Sequence, residues 1–210
     1  MSISAFPSVA GIVYLPLLVL SLLAFSLIFE RLVFWLRITK RQNRIIREVL
    51  QLYHQDSPSS LRKLEQNSDL PIARIFLAAL SLQQPTPEKF RLALETAAQA
   101  ELPVLRRFST VFETIISVAP LLGLLGTILG LIEAFSGLMI GDIGGSDTIT
   151  VTTGISDALI TTVAGLCVAI FTLLFANTFR GLYRRQLAAI QEYSGQLELL
   201  YLNYYQGESP

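Results

Sequence analysis

Three long apolar segments constrain the fold of this chain more than any other feature of its sequence. They cover about residues 9–29, 114–140 and 158–179, and they contain one charged residue, Glu133. A helix needs roughly 20 apolar residues to cross a hydrocarbon core of about 30 Å. Only helices and closed barrels satisfy their backbone in lipid, and these runs are too long and uniformly apolar for barrel strands. The sequence therefore predicts an all-α integral membrane protein with three transmembrane helices.

The charge content agrees with this class. Only 15% of the 210 residues are charged, whereas an ordinary soluble domain carries about 25%. The first segment could also be a cleaved signal peptide, but no Lys or Arg precedes it and its length suits a full span. The formal net charge of zero gives no indication of nucleic-acid binding.

The positions of Lys and Arg predict the orientation. All sixteen lie in the stretches 31–47, 62–107 and 180–185. By the positive-inside rule, these stretches face the cytoplasm. The N-terminus and the short loop after the second span are then on the outer side of the membrane.

Four regions follow from the spans. Helices 2 and 3 are expected to be long and to extend into the cytoplasm. The regions are an outer N-terminus with the first transmembrane helix (1–37), a cytoplasmic helical loop (38–113), a transmembrane hairpin (114–180) and a cytoplasmic C-terminal helix and tail (181–210).

Proline positions predict the helix boundaries of the cytoplasmic loop. Ser57-Pro58 and Thr86-Pro87 each place a capping hydroxyl before a first-turn proline, and Asp69-Leu70-Pro71 opens another helix. The helix after Thr86 leads toward the second span, but Pro103 should kink or interrupt it.

Small residues recur at steps of three and four along the second and third segments. This spacing places each set on one helix face, and small residues let helix backbones approach closely in membranes. The packing is within one subunit or between subunits. The predicted helix-packing residues are Gly123, Gly126, Gly130, Ala158, Gly165 and Ala169.

Two threonines lie on or beside these faces. The hydroxyls of Thr127 and Thr162 must hydrogen-bond within the bilayer. Threonine can bond to the carbonyl one turn back, which would make both residues structural. The functional alternative is that they line a polar pathway.

The charged residues toward the outer ends of the hairpin are all acidic. Asp142 and Asp147 fit a solvated loop, and Asp157 fits the first turn of the third span. Glu133 lies three residues after Gly130, and a carboxylate inside a span usually faces a cavity or a partner. Such groups would attract cations at a pore mouth.

The sequence offers little other chemistry. Cys167 and His54 are single and far apart, so they predict no metal site and no cofactor. No nucleophile–base pair or phosphate loop is present, so we expect no enzyme. No carboxylate lies near the middle of a span, so a deep titrating group would have to come from another chain.

Two motifs in the hairpin resemble those of a known family. Val118-Ala-Pro-Leu-Leu-Gly-Leu-Leu-Gly-Thr127-Ile-Leu-Gly130 and Gly154-Ile-Ser-Asp157-Ala-Leu-Ile-Thr-Thr162-Val-Ala-Gly165 resemble the second- and third-span signatures of the MotA/TolQ/ExbB proton-channel family. Glu30-Arg31 also fits, and three spans are closer to the ExbB/TolQ branch than to four-span MotA-type subunits. Two departures are Phe171, where many members have proline, and Glu133, where members carry a neutral or polar residue.

The resemblance implies a subunit of a bacterial inner-membrane motor driven by the proton motive force. The subunits would form a pentamer around an ExbD/TolR-like single-span partner that supplies the buried aspartate, with a TonB- or TolA-like protein beyond. Carried over residue by residue, Thr127 and Thr162 match pore-lining threonines, and Asp157 matches the acid at the head of the third span, so the predicted pathway residues are Thr127, Thr162, Asp157 and Glu133.

Several alternatives stay open at this point. The chain could be an oligomeric scaffold that holds a single-span partner without conducting ions. ExbB-like uptake and TolQ-like envelope maintenance both fit, although the shortened loop and N-terminus slightly favour the ExbB-like role by analogy. Threonine hydroxyls serve protons or sodium, and the family branch favours protons.

Overall fold

The computed structural model describes residues 9–53, 57–136 and 146–207, which form six helices and, within those ranges, no strand. The all-α prediction is confirmed. The helices are α1 (Val9–Tyr53), α2 (Ser57–Glu65), α3 (Pro71–Leu80), α4 (Pro87–Leu105), α5 (Ser109–Ser136) and α6 (Ser146–Gly207).

Three helical stretches are long and apolar enough to cross a membrane, as the sequence predicts. They are Val13–Gln51, Pro87–Phe135 and Gly154–Gly207. The 62 residues of α6 correspond to about 90 Å of helix, roughly three times the thickness of the hydrocarbon core. The third helix therefore continues far beyond its span, and the compartment into which it extends stays a prediction.

The chain forms two compact units. The first contains described residues from 1–30 and 108–178, which are the start of α1, all of α5 and the first half of α6. The second contains described residues from 31–107 and 179–210, which are the rest of α1, helices α2 to α4 and the second half of α6. The loop that the sequence predicts on the outer side falls at 137–145, outside the described residues.

The helix boundaries in the second unit follow the local sequence. Thr86 caps α4 by accepting a hydrogen bond from the Lys89 backbone N–H at 3.4 Å, and Pro71 occupies the first turn of α3. The helix α4 continues through Pro103 and ends at Leu105, two residues after the proline at which the sequence predicts a kink or an interruption. A backbone φ of 67° at Phe108 lies in the left-handed region, which a helix cannot continue through.

Polar contacts tie the helices of the second unit together. Arg74 of α3 makes a bidentate ion pair with Glu101 of α4, with Nε–Oε1 and Nη2–Oε2 distances of 2.6 and 2.5 Å. This pairing holds the pKa of Arg74 above its ordinary value. The ring of Tyr201 in α6 stacks on Phe90 of α4 at 4.1 Å between centroids, and its hydroxyl donates to the carbonyl of Pro85. The end of α6 is thereby fixed to α4.

Candidate functional site

The helices α5 and α6 of the first unit approach so closely that there is no room for additional side-chain atoms. A Cβ added at Gly126 would lie 2.4 Å from the Thr161 hydroxyl oxygen, and one at Gly165 would lie 2.5 Å from the Ala119 carbonyl oxygen. Contacts under 3.0 Å essentially never occur for a real Cβ. These glycines therefore allow the two backbones to meet.

The same approach continues along the hairpin. A Cβ at Gly130 would lie 2.7 Å from the Cβ of Ala158, and one at Gly123 would lie 3.0 Å from the Thr162 Cα. Ala169 is buried in a cluster with Leu17 of α1. With Gly126 and Gly165, the structure places all six sequence-predicted packing residues in contacts between helices of this unit.

The carbonyl oxygen of Gly123 is the polar centre of the interface. The Thr162 hydroxyl of α6 donates to it at 2.9 Å. The Thr161 hydroxyl lies 3.3 Å from the same oxygen and 2.6 Å from the Ala158 carbonyl of its own helix. Thr162 is therefore satisfied across the interface and not by the carbonyl one turn back.

The hydroxyl of Thr127 lies at the same level of the hairpin. It donates at 2.7 Å to the carbonyl of Leu124, the residue next to Gly123. Because the hydroxyls of Thr127 and Thr162 are bonded to consecutive carbonyls of α5, they occupy one level across the membrane. Both side chains are half-buried in the single subunit.

On α6, Thr162 faces away from the contact with α1. The Tyr14 hydroxyl of α1 donates to the Asp157 carbonyl at 3.4 Å, which places α1 beside Asp157. Asp157 and Thr162 are five residues apart, which is about 140° around an α-helix.

The same relation holds on α5. Leu122 packs against the cluster that contains Leu17 of α1. Thr127 lies five residues beyond Leu122, again about 140° around the helix. Thr127 and Thr162 therefore share the side of the hairpin that α1 does not cover.

The two acidic site predictions lie elsewhere. Asp157 and Glu133 are both exposed in the subunit. Glu133 precedes the buried Ala134, so its side chain is outside the tight part of the interface. The structure thus brings Thr127 and Thr162 together and leaves Asp157 on the α1 side of α6. Asp142 and the side chain of Asp147 lie outside the described residues.

Thr161 is a site residue that sequence reasoning did not single out. Its side chain is fully buried, at 0% exposure, whereas Thr162 is half-buried. Steps of three and four from Ala158 reach either threonine, so the pattern alone could not choose between them. The close fit to Gly126 is the signal, and it requires the register of the two helices.

The arrangement offers hydroxyl oxygens to a further polar group. A threonine hydroxyl that donates its proton to a carbonyl keeps lone pairs that accept a hydrogen bond from water or hydronium. Thr127 and Thr162 present such oxygens side by side on the uncovered face. Within the described residues, no group of three His, Cys, Asp or Glu side chains could hold a metal ion, and Cys167 is exposed.

Comparison with known proteins identifies the family of this hairpin. Residues 67–192, more than half of the chain, match the MotA/TolQ/ExbB proton channel family. ExbB-like 3 of Synechocystis sp., named as a biopolymer transport protein, is 58% identical over 195 residues that cover 93% of each chain. ExbB-like 1 of the same organism is 43% identical over 91% of this chain and 76% of that protein. The biopolymer transport protein ExbB of Helicobacter pylori is 45% identical over 69 residues, 33% of this chain and 46% of that protein.

The three long apolar helices and the family match agree on a multi-pass membrane protein. The match begins in the second unit, before α3, and includes the whole of the α5–α6 interface. This protein is a member of the MotA/TolQ/ExbB proton channel family.

Proposed function

We propose that this chain is the ExbB-like subunit of a bacterial inner-membrane motor that uses the proton motive force to energise transport at the outer membrane. One observation carries the proposal. The hydroxyls of Thr127 and Thr162 lie at one level, bonded to consecutive carbonyls, on the side of the hairpin that α1 leaves open. Pathway residues need this placement, and it leaves room for a partner helix.

The proposed role of the chain is to supply acceptor oxygens, and the titrating group comes from another chain. The sequence has no carboxylate or histidine near the middle of a span. A proton path through a bilayer commonly requires an ionisable group. We therefore propose a pentamer around an ExbD/TolR-like single-span partner whose carboxylate faces Thr127 and Thr162. On this proposal the chain is a channel subunit and not an enzyme.

In this proposal, the two acidic residues act at the entrance of the ion pathway. Asp157 and Glu133 are exposed and lie on the outer side of the two threonines if the N-terminus is periplasmic and the C-terminus cytoplasmic. Negative charge at a pore mouth raises the local concentration of cations. Their proposed role is to attract protons, or sodium ions, before these reach the hydroxyls.

The names of the relatives support an ExbB-like role over a TolQ-like one. Both Synechocystis proteins and the Helicobacter protein are named for biopolymer transport. A TonB-like protein would then receive the work, whereas a TolQ-like subunit would act through a TolA-like protein. The partner that copurifies with the chain distinguishes the two.

A scaffold without conduction is the second candidate. It is favoured by the hydrogen bonds of both threonines, since a hydroxyl that donates to a carbonyl already has a structural role. On this alternative the small residues assemble an oligomer that only holds its partner.

The first experiment is native mass spectrometry of the protein purified from its own membranes. The motor proposal expects five copies with a small single-span partner that carries a membrane aspartate. A different stoichiometry without such a partner would favour the scaffold.

The second experiment is proton flux through the reconstituted complex with Thr162→Val. We expect flux to fall at least tenfold with the oligomer intact, because the variant removes an acceptor oxygen at nearly constant volume. Thr178→Val is the matched control, since the exposed Thr178 bonds to the carbonyl of Leu174 in its own helix at 2.9 Å. Unchanged flux in Thr162→Val would contradict the pathway role.

A further inference from the structure

The exposed face of α1 in the second unit changes from apolar to basic within one turn. Leu32, Val33 and Leu36 are exposed hydrophobic residues, and Arg37 and Lys40 follow as exposed cations. Val33, Arg37 and Lys40 are spaced by four and three residues, which places them on one helix face. In a membrane-crossing helix, this change marks the depth at which the lipid chains end.

The two cations lie within reach of the lipid headgroups. The headgroup layer on each side of a bilayer is about 5–8 Å thick, from the difference between the total thickness and the hydrocarbon core. Arg37 and Lys40 follow Leu36 by one and four residues, or about 1.5 and 6 Å along the axis.

Both cations are unpaired in the part of the fold that the structure describes, unlike the next two cations along α1. Arg41 pairs with Asp69 at 2.7 Å, and Arg44 pairs with Glu48 at 3.0 Å. Within the described part of the chain, neither Arg37 nor Lys40 has an ion pair or a side-chain hydrogen bond. Arg41 and Arg44 are therefore partnered internally, whereas Arg37 and Lys40 remain available close to the membrane, as does the exposed Arg47 farther along the helix.

The nearest acids along α1 are Glu30, seven residues before Arg37, and Glu48, eight residues after Lys40, or about 10 and 12 Å away along the axis. Residues 31–47 contain six Lys and Arg and no Asp or Glu, and residues 178–191 likewise contain no acid. In the second unit, Gln186 of α6 donates to Gln42 of α1 at 2.6 Å. Lys40 precedes Gln42 by two residues, or about 200° around the helix, so it lies on the side of α1 that faces away from α6.

We propose that Arg37 and Lys40 form a binding surface for the phosphate headgroups of anionic phospholipids in the leaflet through which α1 leaves the membrane. Charge complementarity selects this class of lipid. A zwitterionic headgroup carries its own cation next to the phosphate, whereas an anionic headgroup leaves a net charge for the protein to neutralise. The surface is separate from the threonine pair, so this inference stands whether or not the chain conducts protons.

The test is a titration of the delipidated full-length protein, in its native oligomer, with phosphatidylglycerol or phosphatidylcholine. Native mass spectrometry counts the bound lipids. Each cation near a membrane surface strengthens binding of an anionic lipid by roughly fivefold, so R37Q/K40Q should weaken phosphatidylglycerol binding roughly 25-fold. The matched control is R47Q/R62Q, which removes the same charge from exposed residues, Arg47 lying about 15 Å farther along α1 than Arg37.

Selective loss in R37Q/K40Q, with little change in R47Q/R62Q or in phosphatidylcholine binding, would establish the surface. Equal loss in both double variants, or no preference of the wild type for phosphatidylglycerol, would overturn it. Displacement of the lipid by glycerol phosphate at the same concentration would also overturn it, since the site would then bind soluble phosphate. If R37Q/K40Q does not assemble, Lys40→Gln and the salt dependence of lipid binding decide the question by the same criteria, with no loss of binding counting against the surface.

Discussion

Two residues set the tightest point of the α5–α6 contact. A Cβ added at Gly126 would lie 2.4 Å from the Thr161 hydroxyl oxygen and 2.8 Å from the Thr161 Cβ. Protein interiors do not accept extra atoms without shifting their neighbours. The fit is therefore a constraint on both positions.

We predict that Gly126→Ala destabilises the protein by about 1–3 kcal/mol, the usual cost of overpacking. The measurement is the free energy of unfolding in detergent, followed by helicity. Gly181→Ala is the control, because nothing lies within 4 Å of a Cβ there, and it should gain about 0.5–1 kcal/mol from helix propensity. Equal stability of Gly126→Ala and the wild type would contradict the close approach.

A second glycine variant should be worse. The atom nearest to a Cβ at Gly165 is the backbone carbonyl oxygen of Ala119, at 2.5 Å. A backbone atom cannot rotate away as a side chain can, so Gly165→Ala must separate the helices. We expect it to lower the free energy of unfolding more than Gly126→Ala does in the same assay, and the reverse order would count against this reason.

The sequence predicted the packed faces but not which threonine they bury. Glycine and alanine at steps of three and four identify a face of about 100° width, and both Thr161 and Thr162 fall at its edges. The choice depends on the register between α5 and α6, which is set by contacts such as Gly130 with Ala158. The same limit applies to the shared level of Thr127 and Thr162, because it depends on the hydrogen bond from Thr162 of α6 to the Gly123 carbonyl of α5.

Among the elements, α1 and α6 are joined in the second unit by a buried amide pair. Gln42 and Gln186 are 2% and 7% exposed, and the Nε2–Oε1 distance is 2.6 Å. A buried amide that loses its partner costs more than the hydrogen bond itself contributes. The pair therefore favours one register of the two helices.

We predict that Gln42→Leu lowers the free energy of unfolding by about 1–3 kcal/mol, because the Gln186 N–H is left unsatisfied. The double variant Q42L/Q186L should recover most of this loss, since both polar groups are then replaced by apolar groups of similar shape. A double-mutant cycle in the full-length protein measures the coupling. Additive losses in the cycle would show that the pair does not act as a unit.

The connection between α4 and α5 shows where local rules fail. Proline at position 103 removes one backbone donor and suggests a break there, yet α4 continues for another two residues to Leu105. The break instead falls at Phe108, whose positive φ has no signal in the sequence, since Phe does not favour that region. First-turn prolines were a sufficient signal at the starts of α3 and α4, together with the Thr86 cap of α4, because these helix starts need only local partners.

At the scale of the whole molecule, three spans place the N- and C-termini on opposite sides of the membrane. The orientation is therefore one choice between two topologies. Hydropathy finds spans reliably because every lipid-facing residue must be apolar. The orientation depends on the sixteen cations in the stretches 31–47, 62–107 and 180–185, and it has a direct test.

We predict that in a Cys167→Ser background, Asp142→Cys is labelled by an impermeant maleimide added to intact spheroplasts, whereas the exposed Gln83→Cys is labelled only after lysis. The positive-inside rule is the reason. Cys167, in the third span, is removed because its own thiol is exposed in the subunit. Labelling of Gln83→Cys before lysis would invert the topology and the proposed entrance with it.

The contact between Gly126 and Thr161 also limits how this sequence can diverge. A descendant that replaces Gly126 by alanine must first shorten residue 161, and one that keeps threonine at 161 must keep glycine at 126. The order of substitution is therefore constrained, because alanine at 126 is tolerated only after residue 161 has become smaller. Among sequences that diverged from this one, threonine at 161 together with alanine at 126 should be almost unrepresented.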